Sequence, residues 1–91
     1  MNIKFNMLLS IAILPKLIEI IIEKEHMDEI VAIEQLYNSK LYELLADEDT
    51  WVWHYSPLML YTMWKSEKET GEIEFPEGQS WVKNYHSLFY V

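Results

Sequence analysis

Apolar positions along the chain fall into three blocks, and polar breaks separate them. The first block spans Met7-Leu8-Leu9-Ser10-Ile11-Ala12-Ile13-Leu14 and continues through Leu17, Ile18, Ile20, Ile21 and Ile22. The polar run Glu23 to Glu29 closes it. Its density predicts a buried helix or a pair of short ones. Pro15 has no amide hydrogen and its ring strikes the preceding turn, so the pattern predicts a break there. Pro15 would then lie in the first turn of a second helix, where the missing donor costs nothing.

The second block is the clearest helix. Ile30, Ile33, Tyr37, Leu41 and Leu44 recur at spacings of three and four, and Leu36 and Leu45 widen the stripe. Asp28 is the expected N-cap, with its carboxylate accepting from free backbone N–H groups. Asp47, Glu48 and Asp49 oppose the negative end of the helix dipole, so the helix should stop by Ala46. Next comes Trp51-Val52-Trp53-His54-Tyr55, expected to be a linker held down on the core by its two indoles. Ser56 as N-cap and Pro57 at the first helical position then open the third block. Leu58, Leu60, Tyr61, Met63 and Trp64 make this helix apolar on nearly every side, which requires burial within the fold or by a partner. Gly71 is the expected left-handed residue just past its end. Glu72-Ile73-Glu74-Phe75-Pro76-Glu77-Gly78 alternates and then turns, predicting an extended arm. Trp81, Tyr85, Leu88 and Phe89 fit a short helix, and the last five residues fit a strand equally well.

These elements predict an all-α fold: one domain over residues 1–91, a small bundle of three to four helices. The core spans about 14–71, and an extended or short-helical aromatic arm covers 72–91. Composition sharpens this picture. In 91 residues, 51% are hydrophobic and four are Trp, six Tyr. So short a chain has a high surface-to-volume ratio and cannot hide that much apolar area. A contiguous exposed apolar patch marks a contact surface, so a second copy or another protein is expected to cover part of it. Trp51, Trp53, Tyr55, Tyr61, Trp64, Trp81, Tyr85 and Phe89 are the interface candidates, because Trp and Tyr are enriched where binding energy concentrates.

The net charge is −8, and all seven basic residues are Lys. That balance repels nucleic acid and anionic lipid surfaces. Lys4 and the following apolar run imitate a signal peptide, but no small-x-small cleavage site follows. Pro15, Lys16 and Glu19 interrupt the run before it reaches the length of about 20 apolar residues that a membrane span needs. The expectation is no membrane span; peripheral attachment through Met7 to Ile22 is the competing reading. With no Cys there is no disulfide or thiolate chemistry, in keeping with a reducing cytoplasm.

The candidate chemical groups are sparse. Glu23-x-x-His26 has the helical spacing of di-metal carboxylate bundles, but such a site needs a second copy of the motif. His54 with Asp49 or Glu48 would make an acid–base pair, and a His among Trp and Tyr more often bonds backbone. His86 has no such neighbour in sequence. Asp47, Glu48 and Asp49 lack the spaced ligands and internal Gly of a calcium loop. There is no Gly-x-Ser-x-Gly, and two glycines cannot make a phosphate-cradling loop. Neither a catalytic residue, a cofactor nor a metal is expected.

The residues Tyr37-x-Ser39-Lys40-x-Tyr42-x-x-Leu45, Asp47-Glu48-x-Thr50-x-x-Trp53-x-x-Ser56-Pro57 and Glu69-x-Gly71 resemble short, uncharacterised helical proteins of low-G+C and gut bacteria, of the domain-of-unknown-function type. Some of these lie beside toxin–antitoxin or mobile-element genes. The likeness covers about residues 14–77. It implies an all-α fold and a bacterial source and carries no catalytic residue. The functional expectation is an acidic, non-enzymatic, self-associating protein-binding module, antitoxin-like or adaptor in role, dimeric and cytoplasmic. The competing expectation is a small ligand-binding protein or enzyme with a pocket around His54 lined by Trp51, Trp53, Tyr61 and Trp64.

Overall fold

A computed structural model describes residues 3–76. The architecture is an all-helical bundle of three main helices with 3-10 turns. We number the helices α1 (Ile3–Glu25), α2 (Glu29–Tyr37), α3 (Lys40–Leu45) and α4 (Pro57–Thr70). Two 3-10 turns, Glu48–Thr50 and Val52–His54, join α3 to α4. No strand occurs among the described residues.

Helix α1 does not break at Pro15. It runs unbroken from Ile3 to Glu25 and widens into a π-helical stretch over Leu8–Ile13, just before the proline. Leu14 N–H bonds to the carbonyl of Leu9, five residues back. A proline ring clashes with the carbonyl four residues earlier, and a wider turn relieves that clash without ending the helix. The widening also serves the packing. Phe5, Leu9, Ile13, Leu17 and Ile21 are all buried, at a strict spacing of four. In a regular α-helix such a row drifts around the axis by about 40° per step. A turn that holds more residues rotates the row back, so the five side chains stay on one face. They meet Leu36, Leu41, Leu45, Leu60, Met63 and Trp64 in a single core.

The long helix expected over 28–46 is two. Asn38 and Ser39 separate α2 from α3. The Ser39 hydroxyl donates to the Leu36 carbonyl at 2.5 Å and accepts from Tyr42 N–H at 3.1 Å. The next two free N–H groups, of Lys40 and Leu41, donate to the two carboxylate oxygens of Glu67 on α4, at 2.8 and 3.0 Å. A carboxylate at a helix N-terminus meets both the unpaired donors and the positive end of the dipole. This break also corrects the expected stripe. Ala32, Leu36, Leu41 and Leu45 face inward and are fully buried, whereas Ile30 is 74% exposed and Tyr37 is exposed as well. Asp28 occupies the N-cap position with extended backbone, but its side chain makes no capping bond; its carbonyl accepts the first helical bond from Ala32 N–H.

The other boundaries follow the sequence. Helix α3 ends at Leu45 with Ala46 as C-cap. Ser56 caps α4 by accepting from Met59 N–H at 3.2 Å, Pro57 sits in the first turn, and Gly71 closes the helix at φ +84°. Of the expected arm, residues 72–76 are irregular, with Ile73 and Phe75 leaning on the core and Glu72 and Glu74 exposed. Trp81, Tyr85 and Phe89 lie outside the described residues.

Two substitution pairs check this reading. Leu36→Ala should lower the unfolding free energy in urea by about 3 kcal/mol, while Ile30→Ala should change it by less than about 0.5 kcal/mol. Equal effects would restore the single-helix phase. Glu67→Ala should cost about 1–2 kcal/mol, since it leaves two N–H donors at the start of α3 without their acceptor. Glu67→Gln should cost less, because one carbonyl acceptor remains.

Candidate functional site

Among the described residues, the interface candidates drawn from the sequence fall on two elements, the aromatic turn and α4. The aromatic turn holds Trp51, Trp53 and Tyr55. Its anchors are Val52 and Tyr55, both buried, rather than the two indoles. In a 3-10 turn residues three apart eclipse, so positions 52 and 55 share the inward side. Trp53 is half-buried: its ring meets the edge of Phe5 with centroids 5.7 Å apart, and its Nε1–H donates to the Glu48 carbonyl at 2.8 Å. Trp51 takes a left-handed backbone at φ 62° and stacks over Trp53 at 5.8 Å, leaving 45% of its surface in solvent.

The acidic run before this turn is a small capped structure. Asp47 Oδ1 accepts from Asp49 N–H at 3.0 Å, and the Thr50 hydroxyl lies 2.5 Å from the Leu44 carbonyl oxygen. His54 Nδ1 is hydrogen-bonded to the Trp51 carbonyl. Among the described residues no group of three or more His, Asp or Glu is placed to hold a metal ion. His26, the other half of the Glu23-x-x-His26 spacing, is the left-handed residue that ends α1.

Tyr61 and Trp64 belong to α4 and point elsewhere. Trp64 is fully buried, its indole N–H has no acceptor among the described residues, and Lys68 Nζ lies 4.9 Å over its ring. It borders a shallow hollow of about 310 Å³ shared with Glu34, Gln35, Asn38, Ser39, Glu67 and Lys68. Tyr61 borders another of similar size, with Lys65, Glu69 and Glu74 among its walls. His54 lines neither hollow.

Tyr61 takes part in the main polar contact between α1 and α4. Its hydroxyl donates to Glu25 Oε2 at 2.5 Å, and Lys65 Nζ donates to Glu25 Oε1 at 2.8 Å. Lys65 also lies 3.9 Å from Glu69. The Lys65 bond, with the Tyr61 bond behind it, holds the Glu25 carboxyl below the usual carboxylate range. Burial, reinforced by the Glu25 charge, pushes the Tyr61 hydroxyl up to about 12. The Glu25 bond raises the Lys65 ammonium. Each shift favours the charge state that the contact uses at neutral pH, so the cluster fastens two helices and offers no group poised to exchange protons near neutrality.

Among the described residues the exposed apolar surface is mainly aliphatic. Ile3, Met7, Leu8 and Ile11 on α1 stand in solvent, with Leu58 and Met59 on the first turn of α4 and Ile30 and Val31 on α2. An aromatic-based reading of the sequence missed this surface. The signal was present in the first block, where Phe5 to Pro15 contains no charge at all and is apolar on more than one face. Helix α1 is also the one helix among the described residues long and apolar enough to cross a membrane, and a third of its most apolar window is buried inside the bundle.

The fold and its surface together define a small acidic helical bundle with exposed apolar residues along its N-terminal helix. No family model, no curated protein and no solved structure matches the chain.

The Glu25 cluster sets a pH profile. A lowered carboxyl pKa contributes stability at neutral pH that is lost as acid takes the solution below about 4, the ordinary carboxylate range. Raised Tyr61 and Lys65 values contribute stability that is present below about 10 and lost as the pH rises through the folded values. Urea unfolding against pH should therefore show a plateau with both limbs falling. Tyr61→Phe should cost about 1.5 kcal/mol at pH 7 and flatten the alkaline limb; an unchanged limb would remove Tyr61 from this role.

Proposed function

We propose that the protein is a non-enzymatic binding module that associates with itself and docks on another protein, an antitoxin-like or adaptor component working in the cytoplasm. The observation that carries this reading is the exposed aliphatic surface: Ile3, Met7 and Ile11 are each more than half exposed on one helix whose opposite side makes the core. Isolated exposed apolar residues are ordinary, but several on one side of a helix that has no charge from Phe5 to Pro15 suit a contact surface. The resemblance to short bacterial helical proteins, some beside toxin–antitoxin genes, supports the antitoxin-like role. Net charge of −8 argues for protein rather than nucleic acid as partner.

Of the aromatic interface candidates, Trp51 and Trp53 serve this role on the surface. Trp64 and Tyr55 are spent on the core, and Tyr61 on the Glu25 contact.

Light scattering coupled to size exclusion, run over a wide concentration range, should give a mass that rises above the 11.0 kDa of one chain. A constant single-chain mass, together with no protein retained from a bacterial lysate on the immobilised chain, would remove the proposal.

A further inference from the structure

The self-association proposed above leaves the register of the pairing open, and α1 carries a specific geometry for it. The rows of α1 come in fours. The core row is Phe5, Leu9, Ile13, Leu17 and Ile21. The row Ile3, Met7, Ile11, Pro15 and Glu19 is offset from it by two residues, about 200° around the helix, and every member is exposed. This outward row is apolar over four positions and ends in a carboxylate. Lys4 stands beside its first residue, seven positions before Ile11; Glu19 stands eight positions after it.

We propose that two copies of the chain pair through this row, their α1 helices antiparallel about a two-fold axis at Ile11. The proposal rests on the reading that the chain self-associates and assigns the surface. An axis at Ile11 sets Ile11 against its own equivalent and Met7 against Pro15 of the other copy. It also carries Lys4 and Glu19 to nearly the same level, about 10 to 12 Å from the axis, so each Lys4 meets the Glu19 of the other copy at both ends. Glu19 already lies 3.4 Å from Lys16 of its own chain, and the second Lys completes a three-charge group. A closed two-fold contact of this kind is self-complementary.

Charge favours this occupant. Residues 1–18 contain Lys4 and Lys16 and no acid, a charge of +2, so the remaining residues carry −10 of the total −8. Two such chains repel one another least where their acid-free ends meet. A lipid surface fits less well, because Lys16 and Glu19, 58% and 71% exposed, flank and end the same row and would enter the hydrocarbon with it. Four apolar side chains per copy make a small contact beside the roughly 800 Å² per partner of a standard interface, so the dimer is a weak one.

The test uses the full chain, which has no Cys of its own. Ile11→Cys places one thiol on the axis and should form an intermolecular disulfide under mild oxidation. Ile30→Cys, at a position 74% exposed against 68% for Ile11, should not. Ile11→Glu sets two carboxylates face to face and should raise the dimer dissociation constant about tenfold or more, with an unchanged circular-dichroism melt because Ile11 lies outside the core. Lys4→Glu and Glu19→Lys should each weaken the dimer, and the double variant should regain it.

A dimer indifferent to Ile11→Glu, or cross-linked faster through Ile30→Cys, overturns this surface and leaves self-association standing. Failure of the double variant to exceed the single ones overturns the antiparallel register. A wild-type chain that stays monomeric overturns both surface and self-association. If that monomer floats with phosphatidylcholine vesicles and Ile11→Glu abolishes the flotation, the row is a lipid contact instead.

Discussion

The four-residue row along α1 is the constraint on which the rest of the structure depends. Among the described residues, six of the fifteen buried apolar ones belong to this one helix: Phe5, Leu9, Ile13, Leu14, Leu17 and Ile21. Without them Leu36, Leu41, Leu60 and Trp64 would have no opposing layer, and a chain this short has no second core to fall back on. The π-helical stretch ahead of Pro15 lets the row stay straight across a residue that would otherwise kink it. Committing one face of so apolar a helix to the core leaves the opposite face in water. The surface and the core are thus two consequences of one choice of register.

Two carboxylates then fix the remaining helices to that layer. Glu67 closes the start of α3 through the backbone of Lys40 and Leu41, and Glu25 receives Tyr61 and Lys65 at the end of α1. In both cases an acid from one helix satisfies donors on another, so α4 is tied at one point to α3 and at another to α1. Such ties fix orientation where apolar contacts alone tolerate sliding. The chain is rich in acids, and most of the others among the described residues are exposed.

The aromatic turn shows how local geometry sorts side chains that look alike in sequence. Trp51, Val52, Trp53 and Tyr55 are all apolar or amphipathic. The three-residue period of the turn sends Val52 and Tyr55 inward and holds Trp53 on the rim by its bond to Glu48, leaving Trp51 in solvent. Trp64 is fully buried a little further along. Aromatic content is therefore a poor guide to the exposed apolar surface, which among the described residues is mostly Ile, Leu, Met and Val.

The sequence by itself determined the all-helical class, the stop after Leu45, the Ser56-Pro57 start and the Gly71 end of α4. These depend on local chemistry: an N-cap hydroxyl, a ring without a donor, three acids at a helix terminus, a residue tolerant of positive φ. The tertiary structure alone decided the break at Asn38–Ser39 and the inward phase of Leu36 over Ile30, because the second acceptor at that break is Glu67, some 26 residues away. It also decided the continuity of α1 through Pro15, since a kinked and a widened helix share the same apolar pattern until something packs against them. The candidate surface was half legible for the same reason. The charge-free run from Phe5 to Pro15 is visible in the letters, but which of its faces stays in water follows from which face the core takes.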